Sequence, residues 1–254
     1  MIRLNFVREG GGPIVVLSHA LGCDLHMWDG AAALLAQAHT VLRYDHRNHG
    51  ASELVSGPVT MQELADDAAA LIEREAEGEP VHFVGLSMGG MVAQALAARR
   101  PELLKTVVIA NSASHYPDAA PWRSRIETVR SQGVAGIADG AVARWLTPGY
   151  LATPEGAAAA RQLRNMLLRT DAAGYIASCE AVAAIDFRDS DRRIPVPTLV
   201  IAGIHDEATP PSMSEAMVAA IPGSRLATLE AAHLSAVELP VAFTRRLVDF
   251  WRSL

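Results

Sequence analysis

Ser87 sits in Gly85-Leu86-Ser87-Met88-Gly89, with a glycine two residues away on each side. A serine hydroxyl is a weak nucleophile near neutral pH. It needs a base to take its proton and a third group to orient that base. The G-x-S-x-G spacing suits a nucleophile elbow, in which a strand turns sharply into a helix and holds the serine in a strained conformation. Only very small residues let the backbone pack so closely there. The plain alternative is a glycine-rich turn in which the serine is filler. The flanks favour the elbow, because "VHFVG" reads as the strand before it and "MVAQALAARRPE" as the helix after it.

A base and an acid follow in the chain order Ser, Asp, His that such an elbow requires. Asp206 lies in "VIAGIHDEATP", just past a strand-like run, and His233 lies in "LEAAHLSAVELP", past the last such run. Glu207 could also orient the base, but Asp206 is nearer the strand end. Acyl transfer builds negative charge on the carbonyl oxygen, so backbone N–H donors must face it. Met88, directly after the serine, is expected to supply one amide. Leu21, in the early loop "LSHALGCDLHMW", is expected to supply the other. His19 in that loop is expected to pack beneath it. Asp45, His46 and His49 lie close together in "YDHRNHGASE", but so short a loop rarely supplies a whole metal site. A loop-ordering role is expected and no metal.

These residues need a scaffold that brings distant loops together. The runs "PIVVLSH", "TVLRYD", "VHFVG", "TVVIAN" and "PTLVIAG" are near-continuously apolar, as strands buried on both faces are. "RLNFV" and "SRLATLE" read as further strands. Between the strands lie segments with apolar residues at three- and four-residue spacing. The alternation implies an α/β fold, a mostly parallel sheet with helices on both faces, whose sites form at the carboxyl ends of the strands. The rhythm breaks from His115 to Arg193. Helices are expected there near 121–131, 134–145, 154–169 and 172–184. Residues 1–114 and 194–254 are therefore read as the core, and 115–193 as an inserted helical cap.

Composition narrows the class. The 254 residues are half apolar and a fifth charged, with a formal net charge of −6, and this balance describes a globular chain. No basic cluster tracks a phosphate backbone, which argues against nucleic acid. No apolar run approaches the 18 or so residues that span a bilayer. The first residues, "MIRLNFVREGGG", do not read as a secretion signal, so a cytoplasmic address is expected. Cys23 and Cys179 form no spacing motif and are expected to be free, buried thiols.

With "SHALG", "RYDHRNHGASE", "GLSMGG", "GIHDEATP" and "AAHLSAVELP" in place, the chain resembles the α/β-hydrolase superfamily over nearly its whole length. "LGCDLHMWD", "ARWLTPGY" and "TDAAGYIASCEAVAAIDFR" look like the β-ketoadipate enol-lactonase branch (3-oxoadipate enol-lactonases) and its esterase relatives. The resemblance carries Ser87 onto the nucleophile, Asp206 onto the acid, His233 onto the base, and Leu21 and Met88 onto the oxyanion amides. It departs where the common His-Gly is His19-Ala20, and where Arg-Gly-His-Gly is Arg47-Asn48-His49-Gly50. It implies a small-molecule ester or lactone as substrate, an enol-lactone of a dicarboxylic acid above all, and no cofactor. A spare substrate carboxylate would want an arginine, which can pair it bidentately. Arg123, Arg125, Arg130, Arg144, Arg161, Arg164 and Arg169 all lie in the cap. Arg144 is the expected partner, with Trp122 and Trp145 as apolar lining or as plain contacts between cap and core. The rival readings are a general carboxylesterase or other lactonase, and a ligand-binding receptor of the same fold. Oligomeric state is not legible.

Overall fold

A computed structural model describes residues 2–254. Seven strands form one sheet: β1 (Phe6–Gly10), β2 (Ile14–Ser18), β3 (Thr40–Tyr44), β4 (Val81–Leu86), β5 (Leu104–Ala110), β6 (Thr198–Gly203) and β7 (Arg225–Leu229). Their order is β1-β3-β2-β4-β5-β6-β7. Only β1 runs antiparallel to its neighbour, β3; every other pairing is parallel. The continuous apolar runs are the central strands, buried along nearly their whole length. β1 and β7 carry the exposed positions expected of edges.

Twelve helices accompany the sheet: α1 (Asp29–Leu35), α2 (Met61–Glu75), α3 (Met88–Arg99), α4 (Ala120–Gln132), α5 (Ala135–Trp145), α6 (Pro148–Leu151), α7 (Pro154–Arg169), α8 (Ala172–Ala183), α9 (Arg188–Asp191), α10 (Pro211–Ala220), α11 (Ser235–Glu238) and α12 (Pro240–Arg252). α2 and α3 pack on each other, with α3 against β2, β4 and β5, while α1 pairs with α12. α2 starts at a capping box in which the Thr60 hydroxyl and the Glu63 carboxylate each accept from the other's backbone amide. α3 is almost wholly buried, which explains its run of glycine, alanine and methionine: small side chains let it approach the sheet.

Between β5 and β6 the chain runs through helices alone. α4 packs on α5 and α8, and α7 on α5 and α6. α9 packs instead on α3 and α10, so the chain has rejoined the core before residue 193. The segment leaves and returns at one place. His115 and Asp186 form an antiparallel bridge, and the Phe187 amide donates to the Ser114 carbonyl at 2.8 Å. Among the described residues no helix is long and apolar enough to cross a membrane.

Because β2, β4, β5, β6 and β7 are parallel, their carboxyl ends share one edge of the sheet. The loops that leave there start after Ser18, Leu86, Ala110, Gly203 and Leu229. Ser87, Asp206 and His233 all sit in those loops.

Candidate active site

Ser87 joins β4 directly to α3 with φ 57° and ψ −116°. A left-handed φ at a residue with a side chain costs on the order of 1–3 kcal/mol, and the surroundings must enforce it. They do so here. The Ser87 amide donates to the Ala110 carbonyl at 2.9 Å, the Gly89 amide donates to the His19 carbonyl at 3.1 Å, and the Ser112 hydroxyl donates to the Ser87 carbonyl at 2.8 Å. The flanking glycines are sterically required. A Cβ on Gly85 would lie 2.0 Å from the Gly89 carbonyl oxygen, and one on Gly89 would lie 2.1 Å from that of Ser18.

The Ser87 Oγ is 2.9 Å from His233 Nε2, and His233 Nδ1 is 2.9 Å from Asp206 Oδ2. With the carboxylate as acceptor, Nδ1 carries the ring proton and Nε2 is free to accept from the serine. Asp206 is saturated. Its Oδ1 accepts from the Ala208 and Thr209 amides, and its Oδ2 also accepts from the Thr209 hydroxyl at 2.8 Å and Asn111 Nδ2 at 3.0 Å. Burial alone would raise its pKa. The His233 charge and these hydrogen bonds outweigh burial and hold the carboxyl at about 2. Asp206, not Glu207, is the carboxylate that meets His233; Glu207 is exposed.

Two positioning residues carried no sequence signal. Asn111 directly follows β5 with φ 46°, a conformation asparagine tolerates. Its Nδ2 serves Asp206 and the Ala232 carbonyl, and its Oδ1 accepts from the Ser235 hydroxyl at 2.5 Å. Glu238 accepts from the Ala232 amide and from the Thr147 amide and hydroxyl. The Leu234 amide donates to the Trp145 carbonyl at 2.9 Å. The backbone on both sides of His233 is thereby fastened, and α5 is tied to the same loop.

Leu21 and Met88 lie on the two loops joined by the Gly89–His19 bond. Met88 opens α3, so its amide has no intrahelical acceptor. Among the described residues neither the Leu21 nor the Met88 amide donates to a protein acceptor. The Leu21 loop is held from below. His49 Nε2 accepts from the Gly22 amide at 3.1 Å, and His19 Nε2 accepts from the His46 amide at 3.0 Å. His19 Nδ1 faces the Ala20 carbonyl at 2.8 Å and therefore bears the proton. Asp45 accepts from Asn5 and from the Leu25 and Ala51 amides, so its oxygens are spent on ordering loops. Burial lowers the pKa of all three histidines, that of His49 to about 3.

Trp145 is buried, and half-buried Trp122 meets Tyr116 edge-on with ring centroids 5.4 Å apart. Arg144 is not brought into this group. α5 turns Ala138, Ala141, Val142 and Trp145 inward and leaves Arg144 exposed. The cap arginine that does reach the aromatic cluster is Arg125, 5.2 Å above the Trp122 ring. Cys23 and Cys179 are free and buried, and burial raises the Cys179 thiol to about 12. A hollow of about 600 Å³, away from Ser87, is walled by His39, His82 and Trp251 beside Pro13, Lys105 and Pro197, at the amino ends of the strands.

Residues 15–246 match the alpha/beta hydrolase family. The chain belongs to that family. The enol-lactonase from Burkholderia xenovorans shares its structure with a TM-score of 0.94 at 36% identity, covering 99% of this chain and 97% of the other. 3-Oxoadipate enol-lactonase 2 of Acinetobacter baylyi is 37% identical over 245 residues, 95% of this chain and 90% of that protein. A thermophilic esterase from Thermogutta terrifontis, solved with malate bound, has a TM-score of 0.92 at 28% identity, covering 99% of this chain and 94% of the other. The proteins that this alpha/beta hydrolase resembles thus include lactonases and an esterase.

Proposed function

We propose that this hydrolase cleaves a carboxylic ester or lactone through an acyl-enzyme on Ser87. The observation that carries the reading is the line of two 2.9 Å contacts from Asp206 through His233 to Ser87, built on a strained strand-to-helix turn. His233 takes the serine proton as Oγ attacks the acyl carbon, and Asp206 stabilises the imidazolium that forms. The oxyanion is received by the Leu21 and Met88 amides, both free of protein acceptors. The leaving oxygen takes the proton from His233. A water that gives its own proton to His233 then releases the acid and restores Ser87. Metal and cofactor are not needed for these steps. Helices α4 to α8, within residues 115–193, act as a cap over the site.

Among substrates, 3-oxoadipate enol-lactone is favoured, because two enol-lactonases resemble this chain over nearly their full length. The assignment puts the enzyme in aromatic-compound catabolism, in the cytoplasm. A general carboxylesterase is the second reading, supported by the Thermogutta esterase likeness. Turnover of the enol-lactone, short 4-nitrophenyl esters and homoserine lactones separates the two. The lactonase reading requires kcat/KM to be highest on the enol-lactone. A preference for neutral esters assigns a carboxylesterase, and tight binding without turnover assigns a receptor.

A further inference from the structure

The seven arginines on α4, α5 and α7 divide sharply by environment. Arg130 pairs with Glu127 and Glu180, Arg164 with Asp139, and Arg169 with Asp24. Arg123, Arg144 and Arg161 are exposed. Arg125 alone among them is half-buried with no carboxylate partner among the described residues. Its guanidinium lies over the Trp122 ring, and its one hydrogen bond is from Nη1 to the Tyr175 hydroxyl, at 3.4 Å. Four of its five N–H donors are therefore unspent on protein. These donors are not sealed in the interior, so they are open to an incoming anion.

Its neighbours tie Arg125 to the reacting groups from two sides. Tyr175 is fully buried, and its ring lies against Gly22: a Cβ there would meet Tyr175 Cε2 at 3.0 Å. Gly22 follows Leu21 in the loop of the proposed oxyanion amides. On the other side, Trp122 packs against half-buried Tyr116, whose hydroxyl pKa is raised by burial first and then by the Asp206 charge, with Arg125 opposing. Arg125 thus touches Trp122 and Tyr175, and through them it is linked to Tyr116 and to the Gly22 loop.

We propose that Arg125 binds the free carboxylate of an anionic ester or lactone while Ser87 attacks the acyl carbon at the other end. This rests on the hydrolase reading and deepens it: the site selects substrates bearing a spare carboxylate. The planar guanidinium presents two parallel donors to a carboxylate, while the Trp122 and Tyr175 rings screen the pair from water.

The test compares 4-nitrophenyl hydrogen glutarate with the neutral 4-nitrophenyl valerate. Arg125→Gln should lower the ratio of kcat/KM, anionic over neutral, at least ten-fold, chiefly through KM for the glutarate ester. Arg125→Lys should give an intermediate ratio, and Arg123→Gln on the same helix should keep the native one. Equal losses on both esters, or an unmoved ratio, would overturn the proposal. Calorimetry with glutarate itself needs no turnover. Arg125→Gln should bind it at least ten-fold more weakly than the native chain; equal affinity, or no native binding, overturns the role of Arg125. Failure of the native chain to hydrolyse either ester, with glutarate binding that still depends on Arg125, counts against the hydrolase reading alone.

Discussion

At the scale of single residues, the site depends on a histidine kept in one tautomer. Asp206 holds the proton on His233 Nδ1, and only then can Nε2 accept from Ser87. Asp206→Asn should therefore lower kcat by about 10³- to 10⁴-fold without unfolding the chain, as steady-state kinetics with a circular dichroism check would show. Asn111→Ala removes a buried partner from both Asp206 and Ser235. A lost buried hydrogen bond of that kind is worth about 1–3 kcal/mol, so kcat should fall roughly ten-fold or more, with KM little changed. A shift confined to KM would assign Asn111 to the substrate instead. That Ser87, Asp206 and His233 would meet was legible in the sequence, because their order and their places after strand-like runs are fixed by the fold. Asn111 and Glu238 were not. Their roles depend on β5 lying beside β6 and on α5 touching the His233 loop, and neither adjacency is written in local pattern.

At the scale of elements, the elbow is a close approach of three backbones, and its glycines are the part that cannot change. Gly89→Ala would drive a methyl into the Ser18 carbonyl. It should cost about 3 kcal/mol or more in a urea titration, beyond the usual range for overpacking because backbone must move. Gly140 inside α5 has open space where its Cβ would be. Gly140→Ala should instead stabilise by about 0.5–1 kcal/mol, the helix-propensity difference. The pattern of losses would thus separate steric glycines from incidental ones. The sequence showed the strands and the long helices, because burial on both faces and three-to-four spacing leave clear periods. It did not show α6, α9 and α11. A single helical turn is too short to carry a period, and each is fixed by tertiary contacts.

At the scale of the molecule, the loops around the site rest on buried neutral histidines, and this sets the acid limit of stability. Burial lowers His19 and His46, takes His49 to about 3 and, with help from the Lys105 and His39 charges, takes His82 to about 4. Below about 6.5 the unfolded chain protonates these rings while the folded chain does not. The unfolded state then binds more protons, so stability falls as pH drops, by up to about 1.4 kcal/mol per pH unit for each ring. Asp191, which burial raises to about 6, acts in the opposite sense between its unfolded value and 6, but it is one group against four. Urea midpoints should therefore be clearly lower at pH 5 than at pH 7.5. Equal midpoints would mean that these rings are accessible to protons in the folded chain. The paired carboxylate of Asp206 does not enter this window, because its contribution is lost only as pH falls from about 4 toward about 2.

The central claim concerns one covalent bond, and it can be read directly. The protein is treated with a fluorophosphonate, then its residual esterase activity is measured and its peptides are mapped by mass spectrometry. The expected result is one adduct per chain, on Ser87, formed in step with the loss of activity and absent from Ser87→Ala. Full activity with Ser87 modified, or inactivation through a different residue with Ser87 untouched, would contradict the mechanism.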